Sequence, residues 1–417
     1  MSIAPLPVLA VWTVAALATA GVILRPFRWP EAVWAVLGAA VLLATGLLPP
    51  AAAWQGVLRG TDVYLFLLGM MLLAEVARRE RLFDWLAVFA VRAARGSAGR
   101  LLALVYGVGI LTTAFLSNDA TAVVLTPAVY AAARAAKANP LPHLFACAFV
   151  ANAASFLLPI SNPANLVVFG QHMPDLGNWL RHFTLPSVLA IGATYAMLRF
   201  TQRRVLAAPI EAAVPAMALP AGGMAAGIGI ALTAGVLLTA SALGLELGWP
   251  TLLAGLGTTL AVMAATRESP AAALAGLSWG VLPLVAGLFV LVEALEATGA
   301  VQWLAGLLQG GGTGSAVLAG ALTAFGTNLV NNLPAGLLAG AVVQAADGAA
   351  ALPGAILIGI DLGPNLSVTG SLATLLWLAA IRREGQDVSD WTFLKLGALV
   401  MPPALLLALG ALALQPW

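Results

Sequence analysis

Across 417 residues, 61% are hydrophobic and 9% charged, and a mean hydropathy of +0.97 excludes a water-soluble globule. The net charge of +2, with basic residues confined to short loops, carries no nucleic-acid footprint. A single cysteine, Cys147, excludes an internal disulfide and any multi-thiolate metal site within one chain; its plain reading is a small buried apolar residue.

In chain order, apolar runs predict ten crossings, at about 6–24, 31–48, 62–77, 142–171, 180–200, 222–243, 250–266, 278–296, 352–381 and 391–413. The run Leu6 to Leu24 lacks a basic leader and a cleavage site, so it reads as a span and not as a signal peptide. Two further segments, 100–137 and 313–347, carry polar interruptions at their middles, Ser117-Asn118-Asp119 and Asn331-Asn332-Leu333-Pro334. Unpaired peptide groups in lipid cost several kcal/mol, so tips of this polarity at mid-membrane depth point to re-entrant hairpins lining a buried site. The crossings at 142–171 and 352–381 are interrupted too, at Asn152 to Ser155 and Ser161 to Asn165, and at Asp361 to Asn365 and Gly370 to Ser371.

With the Arg78-to-Arg100 loop in the cytoplasm, all of the 19 Lys and Arg except Arg59 and Arg181 fall on the cytoplasmic face, and both termini lie outside. The halves match. Glu75 and Glu293, like Trp85 and Trp303, are offset by 218; Ser117-Asn118 and Asn331-Asn332 by 214; Asn152 and Asp361 by 209. The expected fold is therefore all-α and integral to the membrane: two inverted five-crossing repeats, 1–200 and 221–417, joined by a cytoplasmic linker, 201–220. Ten transmembrane helices, two re-entrant helical hairpins and two interrupted helices make it up. Segments 81–95 and 299–309 suit helices lying in the interface, and Trp29, Trp54, Trp179, Trp249 and Trp391 read as interfacial anchors.

Asp119 and Asp361 are the carboxylates expected near the membrane centre, at a cost of about 2.5–3.5 kcal/mol each if charged. Taking and releasing a proton during transport would explain them; permanent capture by Asn side chains or helix N-terminal amides is the structural alternative. The amides at the tips, Asn118, Asn331 and Asn332, offer donors and acceptors, to a substrate or merely to a neighbouring helix. Glu75 precedes Arg78 and Arg79 and reads as paired with them, whereas Glu293 has no cation nearby in sequence. His143, His172 and His182 fall near span ends and read as structural. Gly310 to Gly314 is a flexible approach to the second hairpin, not a phosphate cradle, since no Lys-Ser/Thr follows.

The runs Phe115-Leu-Ser-Asn-Asp-Ala-Thr-Ala-Val-Val-Leu-Thr-Pro127, Asn328-Leu-Val-Asn-Asn-Leu-Pro334 and Ile360-Asp-Leu-Gly-Pro-Asn-Leu-Ser-Val-Thr-Gly-Ser-Leu-Ala-Thr-Leu-Leu-Trp377 resemble the arsenical pump membrane protein (ArsB) family of the ion transporter superfamily. The last run is the most specific to that branch; Ser161-Asn-Pro-Ala-Asn165 reads closer to the wider superfamily. The resemblance implies export of arsenite and antimonite from a bacterial cytoplasm across the inner membrane by exchange for protons, with no cofactor beyond the proton gradient. It also implies an alternative coupling to a soluble ATPase partner, and a scaffold domain beside a moving domain that contains both hairpins.

Trivalent arsenic is an uncharged trihydroxide at neutral pH, and a polar site free of a cationic clamp suits it. On this reading Ser117, Asn118, Asn162, Asn331, Asn332 and Ser371 contact its hydroxyls, joined by Asn152, Asn165, Asn365 and Thr369, while Asp119 and Asp361 exchange protons. A sodium- or proton-coupled organic-acid carrier of the same superfamily is the nearer alternative. An intramembrane aspartyl protease is the remoter one, because the Tyr-Asp and Gly-x-Gly-Asp contexts it requires are missing around Asp119 and Asp361.

Overall fold

The computed structural model describes residues 6–267, 269–346 and 348–416. In chain order the helices are α1 (Leu6–Leu24), α2 (Glu31–Ala44), α3 (Pro50–Arg59), α4 (Thr61–Arg79), α5 (Leu82–Ala93), α6 (Ala98–Phe115), α7 (Asn118–Ala120), α8 (Thr126–Ala135), α9 (Leu141–Ala153), α10 (Pro163–Phe169) and α11 (Leu176–Thr201). They continue as α12 (Ala221–Ala242), α13 (Gly248–Thr266), α14 (Pro270–Ala275), α15 (Val281–Ala297), α16 (Ala300–Gly306), α17 (Thr313–Val330), α18 (Asn332–Ala345), α19 (Leu352–Leu362), α20 (Leu372–Arg383) and α21 (Asp390–Ala413).

Among the described residues, seven helices are long and apolar enough to cross a membrane, and up to nine segments are when α3 with α4, and α15 with α16, each count as one bent span. Leu232, Leu253, Leu322, Leu329 and Leu406 stand exposed on helix faces, as lipid contact requires. The protein is an all-helical membrane protein. The expected crossing 31–48 is helical only to Ala44, and the expected crossings 142–171 and 352–381 are each divided into two short helices, α9 with α10 and α19 with α20.

Helices α9 and α19 are apolar all round and are buried almost residue for residue, as such helices must be. Their C-terminal ends carry Asn152 and Asp361 into the interior. Packing follows a reciprocal pattern: α4 lies against α13 and α15 against α2, α12 against α13 and α1 against α2, α9 against α6 and α19 against α17. Small residues allow the close crossings. A Cβ on Gly69 of α4 would stand 2.3 Å from the Thr251 carbonyl oxygen of α13, and one on Gly287 of α15, 218 positions on, 2.7 Å from the Ala35 carbonyl carbon of α2.

The 201–220 stretch straps the base of the α6–α8 unit. Ile210 N donates to Gly96 O (3.1 Å), Glu211 N donates to Ala136 O (2.7 Å), and Lys137 pairs with Glu211 at 3.5 Å. Trp29, Trp54, Trp249 and Trp391 are exposed as expected of anchors, but Trp179 is fully buried. Its ring packs on Phe169 and Phe183, and its indole N–H donates to the Phe156 carbonyl (3.2 Å), which gives the nitrogen a partner without water.

Candidate functional site

Four breaks in helical structure carry the polar residues. At the first, α6 stops at Phe115 and Ser117 caps the next turn, its Oγ accepting from Ala120 N (3.3 Å). Asn118 N donates to the Ser161 carbonyl (3.2 Å) and Asn118 Oδ1 accepts from Asp119 N (2.9 Å), so this tip is fastened to the break between α9 and α10. Asp119 is partly exposed, and among the described residues its carboxylate has no hydrogen-bond partner. The chain then widens into a π-helix over Thr121–Leu125, just before Pro127, whose missing N–H cannot close a regular turn.

At the second break, between α9 and α10, the Asn165 amide donates to three carbonyls, of Ser155 (3.0 Å), Leu158 (3.2 Å) and Pro159 (3.1 Å). That geometry makes Asn165 the pin of its own loop. Asn162 caps α10, its Oδ1 accepting from Ala164 N (3.0 Å), and its Nδ2 reaches across to the other half of the chain. There it donates to Asp361 Oδ1 at 2.7 Å; Asp361 is buried, and its Oδ2 has no partner among the described residues.

The third break separates α17 from α18. Asn331 has φ 70° and ψ 152°, a region that side-chain-bearing residues rarely adopt and that persists where surrounding contacts impose it. The contacts are present: Asn331 Nδ2 donates to the Thr369 carbonyl (3.1 Å), and Asn331 Oδ1 accepts from Leu333 N (3.4 Å). Asn332 is buried and, among the described residues, makes no side-chain hydrogen bond.

The fourth break lies between α19 and α20. Ser371 caps α20, its Oγ accepting from Thr374 N (3.1 Å) and donating to Asn152 Oδ1 (3.3 Å). Asn152 Nδ2 donates to Asn365 Oδ1 (3.0 Å) and Thr374 Oγ1 (3.3 Å), and Asn365 Nδ2 donates to the Phe149 carbonyl (3.1 Å). Asn162 and Ser371, like Asn152 and Asp361, are 209 apart. The two cross-half bonds are therefore counterparts: a cap on α10 meets the end of α19, and a cap on α20 meets the end of α9.

The expected residues beyond the first tip form three groups, Asn162 with Asp361, Asn152 with Asn365 and Ser371, and Asn331 with Thr369, while Asn165 and Asn332 join none of them. Ser117, Asn118 and Asp119 form a separate tip, tied to Ser161. Asn328 is a residue that sequence reasoning passed over. Its Nδ2 donates to the carbonyls of Ala324 (2.8 Å) and Gly363 (3.0 Å), and its Oδ1 accepts from Ser367 Oγ at 2.6 Å. The available signal was its place three residues before Asn331, in the last turn of α17. Glu293 is corrected: it does have a cation, Arg59, at 2.9 Å, which also meets Glu296 at 2.7 Å. Arg59 is distant in sequence and reaches Glu293 because α3 packs on α15. Glu75 pairs with Arg78 through two 2.7 Å bonds.

Helices broken at buried, polar, mutually clasped points inside an all-helical membrane protein are the architecture of a secondary transporter. The chain belongs to the citrate transporter family CitMHS, whose family model matches residues 8–359. It is 27% identical over 403 residues to the arsenical pump membrane protein of Escherichia coli K12, covering 91% of this chain and 92% of that one. An uncharacterized transporter of Mycobacterium tuberculosis H37Rv is 28% identical over 370 residues, with 83% and 84% covered. The crystal structure of the YdaH transporter of Alcanivorax borkumensis shares the fold, with a TM-score of 0.60 at 18% identity and 98% of each chain covered.

Proposed function

We propose that this protein exports arsenite and antimonite across the bacterial inner membrane in exchange for protons. The reading includes the finer architecture: ten crossings, repeats at 1–200 and 221–417 inverted about the linker 201–220, re-entrant hairpins at 100–137 and 313–347, and termini in the periplasm. The reciprocal helix packing supports it, as does the recurrence of matched residues at offsets near 209 and 218.

The observation that carries the function is the Asn162–Asp361 bond. It joins two interrupted helices from opposite halves through a buried carboxylate, one oxygen of which has no partner among the described residues. Such a group can bind a proton in one position of the moving domain and release it in another, while Ser117, Asn118, Asn331, Asn332 and Asn162 offer neutral donors and acceptors to an uncharged trihydroxide. Asp119, partly exposed at the first tip, is the second proton-exchanging candidate. The relatives named as arsenical pumps favour the same substrate.

The competing reading is an organic-acid carrier, favoured by the citrate description of the family. Everted vesicles with an imposed pH gradient separate the two. Uncoupler-sensitive accumulation of arsenite without ATP supports the antiporter, and a requirement for ATP redirects it to a soluble ATPase partner. Failure to move either metalloid, with gradient-driven citrate flux, overturns it.

A further inference from the structure

An amide side chain inside an apolar helix must find partners for its N–H groups and its oxygen, and where they go shows what it holds. Asn328, in the last turn of α17, is such a residue. One partner, the Ala324 carbonyl (2.8 Å), belongs to its own helix; the others belong to the break between α19 and α20. Its Nδ2 donates there to the Gly363 carbonyl (3.0 Å), its Oδ1 accepts from Ser367 Oγ (2.6 Å), and its main-chain oxygen accepts from Thr369 Oγ1 (3.0 Å). The fit is close: a Cβ on Gly370 would stand 2.8 Å from Asn328 Oδ1.

Thr369 passes the grip on to the second tip. Its hydroxyl is held by Asn328, and its carbonyl accepts from Asn331 Nδ2 (3.1 Å), the residue whose φ of 70° makes the turn into α18. A backbone in that region stays there only while its contacts hold, so a shift of 367–369 releases Asn331. The halves differ at this point. Ala114 stands 214 positions before Asn328, and its carbonyl accepts from Ser161 Oγ (3.3 Å), as the Asn328 carbonyl does from Thr369. The main-chain tie is thus made in both halves; the side-chain clamp is added in the second, because alanine has no polar side chain to offer.

We propose that Asn328 is a positioning residue of the second tip: through Ser367 and Thr369 it fixes Asn331, and with it the place where the tip's amides meet the substrate. Its own nitrogen and oxygen are engaged, so it acts through Asn331. The proposal rests on the reading of the second tip as part of the substrate site, and it names the residue that sets the affinity of that tip.

Initial rates of arsenite accumulation in everted vesicles, taken across arsenite concentrations under a fixed pH gradient, give KM and maximal rate. The proteins compared are the wild type, Asn328→Ala, Ser367→Ala, Ser367→Thr, Asn331→Ala, and Asn328→Ala with Asn331→Ala. Asn328→Ala is expected to raise KM about three- to tenfold, the worth of one neutral hydrogen bond, with the maximal rate within about twofold. Ser367→Ala should raise KM by less, and Ser367→Thr, which keeps the hydroxyl, should leave it at the wild-type value. Because Asn328 acts through Asn331, the double variant should be no worse than Asn331→Ala alone. Unchanged KM in Asn328→Ala, or effects that multiply in the double variant, overturns the proposal; if Asn328→Ala does not fold, Ser367→Ala against Ser367→Thr decides in its place. Citrate flux without arsenite flux in the wild type would overturn the substrate reading alone, and the same KM comparison is then made with citrate. Amide hydrogen exchange at residues 331–333 reads the clamp with no substrate present: Asn328→Ala should speed it at least about tenfold, and exchange at the wild-type rate overturns the proposal.

Discussion

The two cross-half clasps occupy equivalent places and differ in what they leave undone. In one, Asn152 is saturated: its amide nitrogen serves Asn365 and Thr374, and its oxygen accepts from Ser371. In the other, Asp361 accepts one bond from Asn162 and keeps a second buried oxygen that has no partner among the described residues. A saturated buried network holds helices in register, whereas an unsatisfied acceptor in low dielectric is costly and is retained where something must bind. One skeleton is thus finished in two ways, as a lock on the Asn152 side and as an open acceptor on the Asp361 side.

The largest expected effect follows from that contrast. Asp361→Asn keeps an acceptor for the Asn162 amide and removes the charge. It should leave the fold intact and reduce pH-gradient-driven arsenite accumulation to the level of uncoupler-treated vesicles. Wild-type accumulation in this variant would break the comparison, because Asp361 would then be as structural as Asn152.

Next in size is the lock itself. Asn152→Ala strips partners from Asn365, Ser371 and Thr374 in a buried network and should cost about 3 kcal/mol of stability, since each orphaned buried group costs about 1–3 kcal/mol. Thermal unfolding of the purified protein measures it. A loss below about 1 kcal/mol would mean that water replaces the side chain freely, and the lock would be no lock.

A third comparison concerns how closely the breaks are gripped. In the second half Gly359 of α19 crosses α17 so tightly that an added Cβ would stand 2.2 Å from the Gly320 carbonyl oxygen. Its counterpart at offset 209 is Val150, a side chain that meets Gly109 of α6. Copying the first half into the second, Gly359→Val, should therefore destabilise by about 1–3 kcal/mol through overpacking. The same thermal shift assay checks it, and a neutral result would show that α17 can retreat from α19.

Much of this was legible in the residues. Helix breakers and amides inside apolar runs marked all four breaks, because lipid tolerates them only at buried, partnered positions. The offset of 209 pairs residues that stand in like places, Asn162 with Ser371 at two helix caps and Asn152 with Asp361 at two helix ends. What the sequence left open was partner choice. Nothing near Glu293 announces Arg59, which arrives through the packing of α3 on α15. Trp179 looked like an interfacial anchor because its position near a span end is the same whether the ring faces lipid headgroups or turns inward to Phe156. Asn165 and Asn162 lie three residues apart in one motif; one ended as a loop pin and the other as a cross-half donor, a division set by three-dimensional direction and not by residue type.

The smallest expected effect compares Glu75 with its counterpart Glu293. Arg78 grips Glu75 with two 2.7 Å bonds while half exposed itself, and Glu75 is 7% exposed along its side chain. Arg59, 55% exposed, is shared between Glu293 at 16% and Glu296 at 23%. Removing a cation matters in proportion to how poorly water can take its place. Arg78→Ala leaves a nearly buried carboxylate alone and should cost about 1–2 kcal/mol, well under the cost of breaking a fully buried pair because the guanidinium side is solvated. Arg59→Ala leaves two carboxylates that water reaches, and should cost about 1 kcal/mol or less, shrinking further in high salt. Unfolding of both variants at low and high ionic strength reads the difference, and an Arg59→Ala loss larger than that of Arg78→Ala would show that repulsion between Glu293 and Glu296 outweighs burial at Glu75.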